Sequence, residues 1–239
     1  MLQSSLSVKK ARSRRHAQSG FTIVELSVAV AIAGVLLVSA IALVQVVLRQ
    51  SRANDTVSSV PRVMAQIDKI YSRTTSYTGL NTDTAIGFGA FDGVFNITGA
   101  SPNRIAGNTF GYPTLVNIAT GFDGIANSNT GYVVTFTGIP QSSCSDIVTS
   151  AAASGVRGIV VAPEVTAGTT ALAPAGMTLN GISIATAGTL VRGPATGGAT
   201  AVALKGPGLQ GQLDVAAMTN AAACGTNNST VSIGLVNWK

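Results

Sequence analysis

The residue with the clearest chemical potential is Glu25, an acid near the start of an apolar run that extends from residue 21 to residue 48. A carboxylate inside a membrane-spanning stretch costs on the order of 2.5–3.5 kcal/mol by insertion scales. A residue kept at that cost is a functional candidate by default. The alternative interpretation is a plain single-pass anchor in which the glutamate has no role.

Catalytic chemistry has few candidates. The only histidine, His16, precedes Gly20 in a basic leader, and without that leader Ser–His or Cys–His activation of a nucleophile is impossible. The other acids are scattered along the chain without the clustering of a metal site: Asp55, Asp68, Asp83, Asp92, Asp123, Asp146, Glu164 and Asp214. We expect no catalytic residues, no cofactor and no metal. The alternative is catalysis by two of these carboxylates that the fold brings together.

Two cysteines, Cys144 and Cys224, complete the set of reactive side chains. A pair of cysteines suits one disulfide in an oxidising compartment. The alternative is two free thiols, and redox catalysis is disfavoured because the chain has no CxxC motif.

The apolar run is long enough to cross a membrane. Its 28 residues would span roughly 42 Å as a helix, against a hydrocarbon core of about 30 Å. Five of the fifteen Lys and Arg residues precede Phe21, so the positive-inside rule places this leader in the cytoplasm and the residues after Arg52 outside. Arg49 and Arg52 oppose that orientation with two charges.

The charge balance excludes one class of partner. From Phe21 onward the chain has ten basic and nine acidic residues, which gives a mature net charge of about +1. No basic patch is left for binding nucleic acid. The low charged fraction, 10%, is typical of a secreted, assembling protein rather than a cytoplasmic enzyme.

The order of these parts resembles a known family. The segment from Gly20 through Phe21 and Glu25 to Leu26, with the basic leader before it, resembles the processing motif of type IV prepilins. The resemblance implies that a prepilin peptidase cuts between Gly20 and Phe21, and that the new amino group of Phe21 is N-methylated. It also implies an assembly role for Glu25, whose carboxylate would neutralise the Phe21 amine of a neighbouring subunit and set the axial register.

Two residues bear on the flexibility of the long N-terminal helix that this family has. Gly34 lies where these pilins often carry a glycine that lets the helix loosen in the filament. Ala42 occupies the place of a proline common in one subclass. Further along, Pro61 falls inside an amphipathic pattern that predicts helix to about residue 76, so we expect a kink there, with a break between two helices as the alternative.

The resemblance implies an α+β fold, with a helical spine half embedded in the membrane and a C-terminal head built on an antiparallel sheet. Four segments follow: a cleaved leader (1–20), a membrane or filament-core half of the helix (21–52), an amphipathic half (53–76) and a head (77–239). The Cys144 region and the late Cys224 are similar to the type IVb subclass. There a disulfide bounds the C-terminal region and the last strand lies inside the sheet.

Local patterns predict the elements of the head. We expect strands at 91–97, 115–118, 132–136, 158–162, 181–185, 201–204 and 231–236. We expect helices at 145–153, with Pro140 near the start, and at 213–223.

The sequence therefore predicts the major subunit of a type IVb-like pilus. It would reside in the inner membrane with a cytoplasmic N-terminus, be assembled by an inner-membrane platform and end as a homo-oligomeric extracellular fibre for adhesion, aggregation or mating contact. A type II secretion pseudopilin, a minor pilin and a membrane-tethered adhesin that never polymerises are the alternatives.

Overall fold

The computed structural model describes residues 20–119, 129–164, 190–192, 200–206, 211–221, 223–225 and 230–239. The chain divides after Gln45 into two units, and a single helix, α1 (Ile23–Ile70), contributes to both. In the first unit every described residue is exposed. The second unit holds the buried core and the sheet.

In the ranges that the structure describes, the second unit has three further helices and eight strands. The helices are α2 (Thr82–Gly87), α3 (Gln141–Ala153) and α4 (Val215–Met218). The strands are β1 (Asn96–Thr98), β2 (Ile105–Gly107), β3 (Pro113–Ala119), β4 (Gly131–Pro140), β5 (Gly158–Pro163), β6 (Leu190–Arg192), β7 (Thr200–Lys205) and β8 (Thr230–Trp238).

All eight strands pair antiparallel in the order β1-β2-β3-β4-β8-β5-β7-β6. The last strand therefore lies between β4 and β5, which confirms the expected position of the C-terminal strand inside the sheet. Together with α1, this arrangement confirms the predicted α+β class. The register of β4 against β8 places Tyr132 opposite Asn237 and Phe136 opposite Ile233.

The core forms between α1 and one face of this sheet. Alternate residues of a strand point to the same face, and on β4 the residues that join the core include Tyr132, Val134 and Phe136. They belong to one cluster with the buried apolar residues of α1, which recur at spacings of three and four. This spacing is the amphipathic pattern of a helix with one buried face. The buried helix residues are Ala53, Val57, Val60, Val63, Met64 and Ile67.

One alternative for α1 is excluded, and the end of the helix differs from its prediction. The helix continues through Pro61, so the alternative of two separate helices is wrong. It ends at Ile70 rather than near residue 76, because the serine- and threonine-rich segment that follows bonds to its own backbone. Thr74 donates its hydroxyl to the carbonyls of Tyr71 and Ser76, and such side-chain bonds compete with helix.

Most strand predictions are confirmed, within a few residues, by β3, β4, β5, β7 and β8. The prediction at 91–97 is wrong over most of its length. There Phe91 accepts backbone hydrogen bonds from Val94 and Phe95, so the apolar side chains reach the core from a turn and only β1 is extended. The sequence patterns did not predict β2 or β6, and the prediction at 181–185 lies outside the described residues.

The helix predictions after β4 have mixed outcomes. The first is confirmed by α3, which has Pro140 as its N-cap residue. The second, at 213–223, shrinks to the single turn of α4, capped by the Asp214 side chain. The chain then turns back, with the Cys224 amide donating to the Met218 carbonyl. This reversal carries Cys224 to Cys144.

Candidate functional site

The predicted processing segment lies at the start of α1. Gly20 is exposed, and a Cβ added there would meet no atom within 4 Å. Phe21 is 82% exposed. Nothing in the described chain therefore requires glycine at position 20.

Thr22 fixes where the helix begins. Its hydroxyl accepts a hydrogen bond of 3.2 Å from the Glu25 amide, and its carbonyl accepts one of 3.1 Å from the Leu26 amide. A threonine that accepts from the third helical residue is a typical N-cap. Glu25 thus stands in the first turn, where the helix dipole favours a carboxylate. The Thr22–Glu25 spacing of a capping box was a sequence signal for this start that the sequence predictions did not use.

The apolar part of α1 is long and hydrophobic enough to span a membrane, with a mean hydropathy of 2.7 over its best 18 residues. None of those residues is buried. Burial of such a surface is strongly favourable, so this segment needs a membrane or other protein surfaces around it. Gly34 lies in this segment with open space around it.

The structure brings Cys144 and Cys224 together in a disulfide, with a Cα–Cα distance of 5.5 Å. The bond joins α3 to the turn after α4. Gln141, the first residue of α3, donates its side-chain amide to the Cys224 carbonyl at 3.0 Å, which holds the same two segments together. The alternative of two free thiols is wrong.

A polar cluster that the sequence predictions missed connects α1 to the sheet. Asp68 accepts hydrogen bonds on both oxygens, from the Tyr77 hydroxyl at 2.8 Å and from the Asn237 amide at 2.9 Å. Tyr132 donates its hydroxyl to the Met64 carbonyl at 3.3 Å. The only sequence signal was an acid directly after the buried Ile67 on an amphipathic helix. This cluster fixes the second half of α1 on β4 and β8.

The two tyrosines of this cluster are held in their protonated form. Burial, followed by the hydrogen bond to Asp68 and the negative charge of that carboxylate, raises the pKa of Tyr77 well above its usual value. Burial is also the main cause that raises the pKa of Tyr132. Both rings pack edge to face with centroids 4.8 Å apart. Both hydroxyl groups therefore keep the proton that each donates to α1.

Lys239 makes a second connection, at the C-terminal end of α1. Its ammonium group donates to the carbonyls of Tyr71 and Thr74, directly beyond the last helical residue. It also lies 4.9 Å from the centre of the Tyr77 ring. A cation at the carboxyl end of a helix is favoured by the helix dipole and by the unpaired carbonyls there.

An ion pair stabilises the segment between α2 and β2. The Asp83 carboxylate accepts from Arg104 Nε at 2.6 Å and from Arg104 Nη2 at 3.2 Å, and it accepts a further bond from the Ser101 hydroxyl. The hydrogen bond from Arg104 is the main cause that lowers the pKa of Asp83 to about 2.

No group of three or more His, Cys, Asp or Glu side chains in the described ranges is arranged to hold a metal ion. The carboxylates of Asp68 and Asp83 serve as hydrogen-bond acceptors between elements. The polar contacts attach the second half of α1 to the sheet. The apolar first half of α1 is left exposed.

The solved structures that are similar to this chain include two pilins. The crystal structure of TcpA, a type IV pilin from Vibrio cholerae El Tor biotype, matches with a TM-score of 0.47 and 16% sequence identity, over 78% of this chain and 99% of that one. A type IV b pilin from Salmonella typhi matches with a TM-score of 0.42 and 16% identity, over 75% of this chain and 96% of that one. No curated protein sequence matches the chain.

Two family models match the sequence. One describes the prokaryotic N-terminal methylation motif and covers residues 15–41, which include the predicted processing segment. The other describes the PilS N-terminal region and covers residues 50–189, more than half of the chain. The chain therefore belongs to the PilS N-terminal family and is a type IV prepilin.

Proposed function

We propose that this prepilin is cut between Gly20 and Phe21 by prepilin peptidase, N-methylated on Phe21, and polymerised as the major subunit of a type IV pilus. The observation that carries the proposal is the exposed Gly20–Phe21 bond directly before α1, with Thr22 capping the helix and Glu25 in its first turn. A protease needs an extended, accessible bond, and here the helix begins only at Ile23.

Before assembly the subunit is a single-pass protein of the inner membrane. The apolar part of α1 crosses the bilayer, the basic leader stays in the cytoplasm and the second unit lies in the periplasm. The disulfide supports this side of the membrane, because disulfides persist in oxidising compartments. An inner-membrane assembly platform would then move the subunit from the bilayer into the fibre.

Assembly replaces lipid around α1 by neighbouring copies of the same helix. Removal of the leader creates a positively charged amine on Phe21, and Glu25 of an adjacent copy would neutralise it. The pair lets both charges enter an apolar filament core, where either charge alone is disfavoured. Gly34 would allow local loosening of the helix there.

The head favours the major subunit over a pseudopilin or minor pilin. It is large, it is closed by a disulfide over 80 residues, and the whole chain has few charged residues, features suited to the outer surface of an abundant fibre. These features, with the final strand inside the sheet, also favour a type IVb-like pilus. Adhesion, aggregation and mating contact are the tasks open to such a fibre.

Mass spectrometry of the N-terminal peptide from filaments sheared off the cell surface tests the proposal. We expect a peptide that begins at N-methylated Phe21. A processed chain found only in membranes would support the pseudopilin or minor-pilin role instead. A membrane form with residues 1–20 intact would contradict processing and leave a tethered module.

A matched pair of glycine variants provides the control. Added Cβ atoms at Gly20 and at Gly34 both meet open space, so neither substitution disturbs packing in the described chain. We expect Gly20→Val to block the cut and Gly34→Val to leave it intact. Equal cleavage of the two variants would contradict the assigned processing site.

A further inference from the structure

Within the described ranges, α1 has one side in the second unit whose residues are exposed. Its exposed residues recur at spacings of three and four, on the side opposite the buried face, and we call them the outer stripe: Ser51, Asn54, Asp55, Ser58, Pro61, Arg62, Ala65 and Lys69. Three of them, Ser51, Ser58 and Ala65, are small and recur every seven residues. Small side chains let two helices approach closely.

The outer stripe carries one acid and two cations. Asp55 and Arg62 are seven residues apart, which returns them to nearly the same side of the helix at an axial separation of about 10.5 Å. The ion pair found within the described ranges is that of Arg104 with Asp83, and neither stripe residue takes part in it. Arg62 is exposed, and its Nη2 atom would lie 3.7 Å from a Cβ added at Gly93, which is also exposed. The guanidinium therefore lies at the surface of the second unit.

We propose that the outer stripe binds a second copy of this chain, parallel and displaced along the helix by about two turns, so that Asp55 of one copy pairs with Arg62 of the next. The inference rests on the proposed function, because it names the contact that a pilus subunit makes with its neighbour. With no displacement, Asp55 would face Asp55 and Arg62 would face Arg62. The displacement turns that repulsion into attraction, and each copy can repeat the contact along a fibre.

The size of the displacement distinguishes Arg62 from the other stripe cation. Pairing of Asp55 with Lys69 would need fourteen residues, about 21 Å. The proposed pairing of the Phe21 amine with Glu25 spans four residues, about 6 Å in a helix and more where residues 21 and 22 precede α1. Copies related by one translation must make both the stripe contact and the Phe21–Glu25 contact. The displacement of about 10.5 Å for the Asp55–Arg62 pair is compatible with the Phe21–Glu25 contact, and the displacement of about 21 Å for an Asp55–Lys69 pair is not.

Charge reversal tests the contact in cells that make the pilus. We expect Asp55→Arg and Arg62→Asp each to reduce sheared filaments about tenfold or more, because like charges would face each other. The double variant D55R/R62D should restore them. D55R/K69D is the matched control and should not. Membrane abundance and the Phe21 peptide mass are followed in every strain.

Each result has a defined meaning. Wild-type filament yield from both single variants, or failure of D55R/R62D to restore yield while the chain is abundant and processed, would overturn the contact. Restoration by D55R/K69D alone would overturn its register. Absence of processing and filaments in the unaltered protein would instead overturn the proposed function, and the contact with it.

Cysteine pairs give a readout that does not depend on filament yield. Positions 55 and 62 are too far apart on one helix to form a disulfide with each other, so a bond must join two copies. In sheared or membrane fractions we expect D55C/R62C to form a ladder of cross-linked subunits under oxidation, and D55C/K69C to give none. The reverse pattern would overturn the assigned register.

Discussion

The hydroxyl of Tyr77 donates a hydrogen bond of 2.8 Å to Oδ1 of Asp68, and this contact joins the segment after α1 back onto the helix. The second oxygen of the same carboxylate accepts from Asn237, 169 residues later in the chain. One side chain on the helix is therefore shared by the segment that follows it and by the strand that ends the sheet.

Replacement of Asp68 by alanine should destabilise the second unit by about 2–4 kcal/mol, because two bonds to a charged group are lost and the Tyr77 hydroxyl stays buried without its acceptor. Urea unfolding of the detergent-solubilised chain, followed by near-UV circular dichroism, measures the change. Asp55→Ala removes an acid from the exposed side of the same helix and should change stability by less than about 0.5 kcal/mol. Equal effects would show that the polar cluster contributes little.

Gly138 should tolerate no side chain. It lies at the irregularity of β4 with a φ of 65°, and an added Cβ would overlap the Tyr112 ring. Gly138→Ala should lower the free energy of unfolding by about 2–5 kcal/mol, since a left-handed backbone costs roughly 1–2 kcal/mol and forced repacking adds about 1–3 kcal/mol. Gly111→Ala has a similar φ of 85° with open space around it and should show the backbone cost alone. Thermal unfolding of both variants measures the two losses of stability. A loss for Gly138→Ala no larger than that for Gly111→Ala would contradict the overlap of the added Cβ with the Tyr112 ring.

Loss of the Cys144–Cys224 bond should destabilise the second unit by about 4.5 kcal/mol in the chain-entropy model, because the bond closes a loop across 80 residues. The measurement is thermal unfolding with and without a reducing agent. The double variant C144S/C224S should unfold near the reduced wild-type temperature and should not respond to the reductant. A reductant effect that persists in the double variant would rule out this bond as its cause.

Acid should weaken the contact between Asp83 and Arg104. The hydrogen bond from Arg104 lowers the pKa of Asp83 from 3.8 to about 2 in the folded chain. Since the folded pKa lies below the unfolded one, the stabilisation is fully present above about pH 4 and is lost as the pH falls through 2. The difference in melting temperature between the wild type and Asp83→Asn should be constant above pH 4 and shrink toward pH 2. A difference that does not depend on pH would argue against this pair.

Glu25→Ala should leave membrane insertion intact and impair assembly. The change removes a costly charge from an apolar segment, so the anchored chain should reach at least wild-type abundance in membrane fractions. Without the carboxylate, the Phe21 amine would enter the filament core unpaired. Sheared filaments should therefore fall steeply, and Glu25→Gln, which keeps the shape but not the charge, should behave like the alanine variant. Normal filament yield from both would remove the register role.

Sequence patterns predicted the features that depend on neighbouring residues. The processing segment, the apolar run, the amphipathic half of α1 and the strands β4 and β8 are each encoded by side chains within a few positions of one another, so their period and order suffice. The prepilin family was identified from the same local signals. Two cysteines allowed one pairing, although nothing local gave the turn after α4 that brings Cys224 to Cys144.

The tertiary structure decided what depends on residues distant in the chain. Lys239 donates to the Tyr71 carbonyl directly after the end of α1 at Ile70. Asp68 joins α1 to the sheet only because β8 places Asn237 within hydrogen-bonding distance of its carboxylate. Phe91 reaches the core from a turn rather than a strand, where its ring packs on Phe95, which in turn packs on Phe136 of β4. The central place of β8 follows from burial of both β4 and β5 beside it, a requirement of the whole sheet that no local pattern carries.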